Sequence, residues 1–314
     1  MPTVRELGEF GLIERVARLC PGHPSVIEGI GDDCAVVRTG NRVILLSCDL
    51  SIENVHFRRA TATPEDIGWK AAASALSDIA AMGGQPLCCL VALACPADTD
   101  AAYIESVGQG IADAVSDCGA ALVGGDTTQS MEGIVLDVTV VGEPVEGRYL
   151  LRKGARPDDV LGVTGRLGLA SAGLHALTHG FDAPALARAH RHPVPRIAEG
   201  QWLCRRGDAH ALIDISDGLV QDAGHLAGAA GLGIDIAPEA LPIAPELAAY
   251  CAAHGLDPLE FILSGGEDYE LAVALAPDDE PDARITVVGR FTDEWTGVRV
   301  AGKPVQRGGY THFA

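Results

Sequence analysis

Basic residues are scarce in this 314-residue sequence: 23 Lys and Arg stand against 43 Asp and Glu, for a net charge of −20. Binding to nucleic acid or to an anionic membrane surface rests on clustered Lys and Arg, so neither is expected as a partner. Only three lysines occur, Lys70, Lys153 and Lys303, and none lies in a glycine-rich loop. The phosphate-cradling pattern GxxxxGK(S/T) is missing, which removes the commonest nucleotide loop. So are the HRD…DFG set of protein kinases and the GxSxG elbow of serine hydrolases. The nine cysteines show no CxxC pairs, and no Cys/His spacing suggests zinc. Their odd number, with several inside apolar runs such as PLCCLVALAC (86–95), reads as free thiols of a reducing cytoplasm. No apolar run reaches the roughly 18 residues that suggest a membrane span. The start MPTVRELGEF lacks the basic-then-apolar pattern of a secretion signal. A cytoplasmic location is therefore expected.

What the chain has instead is carboxylate beside glycine, in GIGDDCA (29–35), GGDTT (124–128), DISDGL (214–219) and SGGEDYEL (264–271), and an acid at the end of an apolar run in SCDLS (47–51). One such aspartate is most simply a turn former or a helix cap. Asp33, Asp49, Asp126, Asp214 and Asp217 together ask for more, since turns do not require an acid each time. All five are expected in or beside turns, the last four near strand ends, where ligand sites of open α/β sheets gather. Neighbouring glycines would let backbone approach a phosphate. Acids repel phosphate unless cations lie between, so a phosphate-handling site here calls for Mg²⁺ held by carboxylates. Asp78, in SALSDIAAMGG, is expected near the end of its helix. There it faces the negative pole, at a cost of about 0.3–1 kcal/mol that a bound cation would reverse. His56 follows the Asp49 strand, Arg152 marks a polar junction, Tyr103 adjoins an inward Ile104, and Tyr310 lies on a glycine-rich tail. Each has a purely structural alternative: a packed histidine, a surface charge, a core aromatic and a docked tail.

Apolar periodicity predicts two α/β halves, 1–150 and 151–314, of α/β (α+β) class. An amphipathic helix is expected over 5–19, with Leu7, Phe10, Ile13, Val16 and Ala17 on its buried face. Strands follow at 43–50 and 87–95, helices at 64–82 and 99–118, then strands at 121–123 and 134–142. Thr63 and Pro64 suit the start of the second helix, and Gly83 and Gly84 its end. In the second half strands are expected at 160–164, 211–215, 233–236 and 284–291, with helices near 168–178 and 218–230. A linker through Pro193 and Pro195 separates the first of these helices from the second strand.

In order and spacing, GIGDDCAVV, KAAASALSDIAAMGGQP, GGDTT, LLRKGARPDD, DISDGLVQD, SGGEDYEL and the terminal GYTHF closely resemble the thiamine-monophosphate kinase family, from about residue 6 to 313. That family shares a superfamily with aminoimidazole ribonucleotide synthetase, selenophosphate synthetase and a hydrogenase-maturation protein. The resemblance implies a two-domain fold like aminoimidazole ribonucleotide synthetase, dimerising through the N-terminal sheet. It implies ATP-dependent phosphorylation of thiamine monophosphate to thiamine diphosphate by direct in-line transfer, with several Mg²⁺ ions. Carried over by motif, metal positions are Asp33, Ser47, Cys48, Asp49, Asp78, Asp126, Asp214 and Asp217. Nucleotide positions are Tyr103, Gly125, Asp126, Arg152 and Ser216, and thiamine-phosphate positions are His56, Glu267 and Tyr310. Cys48 departs from the family, where Thr is common, and a thiol is a poor Mg²⁺ ligand, so only its backbone carbonyl could serve. Two alternatives stay open: a superfamily sibling such as selenophosphate synthetase, for which Cys20 and Cys34 lack the glycine-rich setting, and a non-catalytic Mg-nucleotide-binding assembly protein.

Overall fold

The structure, a computed structural model, describes residues 2–277, 282–305 and 308–313. Its first element, α1 (Val4–Ala17), opens with a capping box in which Thr3 and Glu6 satisfy each other's backbone N–H groups. The apolar face expected to be buried is not: no residue of α1 is buried, and Phe10, Ile13 and Val16 stay exposed. Gly8, at φ 65°, interrupts the helix, so its apolar residues form no continuous stripe.

A sheet follows, built from β1 (Val26–Glu28), β2 (Ala35–Thr39), β3 (Arg42–Ile52), β4 (Gly84–Cys95), β5 (Ala121–Gln129) and β6 (Val135–Pro144). Its order is β1-β2-β3-β6-β4-β5, antiparallel except for the β4–β5 pair. Helices α2 (Pro64–Ala81) and α3 (Ala101–Asp117) cover one face. Thr63 and Asp66 form a second capping box with Pro64 in the first turn, as the sequence suggested. The two helices almost touch backbone to backbone. A Cβ on Gly68 would lie 2.0 Å from the Val107 carbonyl oxygen, and one on Gly110 2.0 Å from that of Glu65. The opposite face of the sheet carries exposed apolar side chains, Leu90 at 43% and Val123 at 58% among them.

Residues 149–159 run between the halves without helix or strand. They are followed by β7 (Val160–Thr164), α4 (Leu169–His179), α5 (Pro184–Arg191), α6 (Ile197–Arg206), β8 (Ala209–Ile215), α7 (Leu219–Ala230) and β9 (Gly233–Ile236). Then come α8 (Pro245–His254), α9 (Pro258–Ser264), β10 (Glu270–Leu275), β11 (Ile285–Thr292), β12 (Gly297–Val300) and β13 (Lys303–Val305). The second sheet runs β13-β12-β9-β11-β7-β10-β8. The expected linker through Pro193 and Pro195 is two helices, α5 and α6, and the prolines occupy only the break between them. Proline forbids helix locally, and the apolar stripes on either side still find a partner to pack against. The halves are joined by apolar contact. Ala80 and Ala81 of α2 pack with Leu203 of α6, Leu212 of β8 and Leu271 of β10. No helix among the described residues is long and apolar enough to cross a membrane.

Candidate functional site

The packing of α2 against the second half sets one helix end beside one strand end. Asp78, in the last turn of α2, meets Asp214 near the end of β8 and Asp33 in the turn before β2. These three carboxylates each offer an oxygen within 4.8 Å of the others. Ser47 of β3 donates to Asp78, and Ser77 donates to Asp214 at 2.7 Å. Arg152 from the junction donates to Asp33 at 2.6 Å, while its backbone N–H binds Asp32. Burial pushes all three clustered acids above the usual carboxylate range, and like charge adds to it for Asp78 and Asp214, bringing Asp214 to about 7. Buried Asp33 Oδ2 has no hydrogen-bond partner among the described residues. An orphaned acceptor among three crowded carboxylates, all hard oxygen donors, suits a small divalent cation.

The GGEDYEL loop closes the other side. Its glycines are there for space: a Cβ on Gly266 would lie 2.4 Å from the Ser216 carbonyl oxygen. Two of its three acids serve the fold. Asp268 accepts from the N–H groups of Gly168 (2.6 Å) and Ala170 (3.0 Å), capping α4 from outside the helix. Glu270 accepts from Thr164 (2.6 Å) and Arg196 (2.5 Å). Glu267 differs. It holds a left-handed backbone, φ 68°, with its N–H bound to the Ser216 carbonyl at 2.7 Å. Lys70 Nζ lies 2.5 Å from its Oε1 and His190 Nδ1 3.2 Å from its Oε2. Burial opposes ionisation, but Lys70 and His190 outweigh it and hold Glu267 down to about 2.

A cavity of about 480 Å³ joins the two regions, running from Asp78, Asp214 and Asp217 to Lys70, His190 and Glu267. Of the residues singled out in the sequence, Asp49, His56, Ser216 and Tyr310 also line it. Asp49 is pushed up by burial, against a hydrogen bond from Ser74. His56 accepts from the Ile52 N–H at 3.0 Å and packs edge-on to His312. Tyr310 is tied by its N–H to the Asp217 carbonyl at 3.0 Å.

Gly125, Asp126 and Tyr103 lie apart from the cavity, whereas Cys48 lines it. The Cys48 thiol contacts Asp137 on the uncovered face of the first sheet. Gly125 and Asp126 lie inside the exposed edge strand β5 rather than in a turn, and register pairs Asp126 with Ala92, which in turn pairs with Asp137. Paired residues share a face, so within one chain Asp126 points away from the Asp33–Asp78–Asp214 cluster. Tyr103 is on α3, with the Arg59 guanidinium 5.1 Å from its ring centre. Lys70 and His190 were not singled out in the sequence. A signal for Lys70 existed: it is one of three lysines and lies eight residues before Asp78 on the same helix.

Residues 31–143 match the family model described as AIR synthase related protein, N-terminal domain, and residues 156–309 match the corresponding C-terminal domain. The thiamine-monophosphate kinase of Aquifex aeolicus (strain VF5) is 38% identical, over 99% of both chains. That of Mycobacterium tuberculosis (strain CDC 1551 / Oshkosh) is 37% identical, over 94% of this chain and 91% of the relative. A solved structure described as AaThiL complexed with AMPPCP and TMP superposes with a TM-score of 0.92 at 37% identity, covering 99% of both chains.

Proposed function

The chain belongs to the thiamine-monophosphate kinase family, and from that premise we propose how its own residues carry the reaction. Its activity is the ATP-dependent phosphorylation of thiamine monophosphate to thiamine diphosphate. The observation that supports this mechanism is the single cavity with clustered carboxylates at one end and Glu267 at the other. Incubation with ATP, Mg²⁺ and thiamine monophosphate, followed by chromatography, is expected to yield ADP and thiamine diphosphate. Equal turnover of free thiamine, or none of the monophosphate, overturns the assignment.

Asp33, Asp78 and Asp214 would hold Mg²⁺, with Asp49 and Asp217 beside them and Cys48 limited to its backbone carbonyl. When bound, Mg²⁺ neutralises charge on the donor and acceptor phosphates. Ser47 and Ser77 fix the carboxylates of Asp78 and Asp214 by hydrogen bonds. The acceptor oxygen belongs to a phosphate already ionised near neutral pH, so it needs no strong base, and a direct in-line transfer fits a site built from acids and hydroxyls. We assign Tyr103, Gly125, Asp126, Arg152 and Ser216 to the nucleotide, and His56, Glu267 and Tyr310 to thiamine monophosphate. Asp126 also remains assigned to metal. Its position on the uncovered face of the first sheet supports a homodimer formed through that face, as do exposed Leu90 and Val123. We divide the chain near residue 150, within the stretch that joins the two sheets. Nine unpaired cysteines support a cytoplasmic location.

A further inference from the structure

Lys70, Ser74 and Asp78 recur every four residues along α2, and all three line the cavity. At 1.5 Å per residue, the eight-residue step from Lys70 to Asp78 sets about 12 Å between the ends of this row. The Asp78 end belongs to phosphate. The Lys70 end holds Glu267 from two sides, and Lys70 Nζ is also 3.5 Å from His190 Nε2. Lys70 is 8% exposed and His190 6%. Burying an ammonium and an imidazole against one carboxylate is costly unless the geometry is good, and the left-handed backbone of Glu267 adds strain of a kind that collects at ligand sites. Phosphoryl transfer at the far end of the row needs none of this. Beside Lys70 on the same helix, apolar Ile67 and Ala71 also line the cavity. The negative charge of Glu267 is already matched by Lys70, so this carboxylate is better suited to accept a hydrogen bond than to neutralise a cation.

We propose that Lys70 and His190 are positioning residues that orient Glu267 to accept from the exocyclic amine of the acceptor's aminopyrimidine ring, so that α2 spans the acceptor from ring to phosphate. The inference rests on thiamine monophosphate being the acceptor. It sets the specificity of the reaction: an acceptor with the phosphate but without the aminopyrimidine reaches the Asp78 end and leaves the Lys70 end unsatisfied.

Steady-state kinetics of the full-length enzyme with two acceptors test this: thiamine monophosphate, and the phosphorylated thiazole fragment that lacks the aminopyrimidine. Loss of a hydrogen bond to a charged group is expected to raise the Lys70→Met KM for thiamine monophosphate about 10-fold or more, with the KM for ATP within about two-fold of wild type. The wild-type preference in kcat/KM for the whole acceptor over the fragment collapses in this variant, and Lys70→Arg restores much of it. If Lys70→Met does not fold, His190→Gln is expected to show the same split. Equal losses with both acceptors, or a matching rise in KM for ATP, overturn the inference and leave the kinase activity standing. Wild-type enzyme that phosphorylates neither acceptor refutes the function itself, and the inference with it.

Discussion

Asp78 sits where a carboxylate is least welcome: in the last turn of α2 and half-buried, where desolvation and the charges of Asp214, Asp33 and Asp49 all raise its pKa. A residue kept there against helix dipole, burial and like charge serves something other than folding. Asp78→Asn is expected to lower kcat by at least about 100-fold, the loss typical of a missing transition-state charge clamp. The same variant, free of metal, should melt at a higher temperature than wild type; a lower Tm would mean the carboxylate holds the fold. The clustered acids also set a pH dependence. Asp214, raised to about 7 from an unfolded value of 3.8, contributes stability at low pH that is lost as pH climbs through 7. Glu267, lowered to about 2, has the opposite sign and loses its contribution as pH falls below its unfolded value of 4.5. The metal-free protein should therefore gain Tm as pH drops from about 8 toward about 4, then lose it below that. Thermal melts of wild type and Asp214→Asn check this, with a flatter profile expected in the variant.

The elements that could be read from sequence were those with local punctuation. Helix α2 announced itself through Thr63, Pro64 and Asp66 at one end and Gly83 at the other, and β7 and β9 run where apolar residues predicted. Helices α5 and α6 were hidden because Pro193 and Pro195 suggest a linker, although they fill only the gap between two packed stripes. The candidate site divides in the same way. Asp33, Asp214 and Asp217 stand out beside glycines, Asp78 at a helix end and Asp49 at the close of an apolar run. The Lys70–His190–Glu267 group joins three segments distant in sequence, and no local pattern links them. The face on which Asp126 stands is set by strand register, and GGDTT suggests a turn rather than a strand. The α2–α3 contact makes its own prediction. Gly110→Ala forces a Cβ against the Glu65 carbonyl oxygen, and overpacking of this kind costs about 1–3 kcal/mol. Chemical denaturation should show that loss; an unchanged midpoint would mean the helices part at no cost.

At the scale of the whole molecule, a net charge of −20 keeps copies of the chain apart, and the apolar outer face of the first sheet would work against that repulsion. If the proposed homodimer forms through that face, Leu90→Lys, on β4 next to the edge strand, is expected to convert it to monomer in sedimentation velocity; an unchanged species would move the interface elsewhere. The carboxylate cluster has a consequence of its own. Asp33 and Asp78 come from the first half and Asp214 from the second, so a cation held among them is a rivet through both. Calorimetry should register this: as Mg²⁺ is added, the heat-absorption peak should sharpen and move upward as a single transition, because neither half can then melt without releasing the ion the other half also grips.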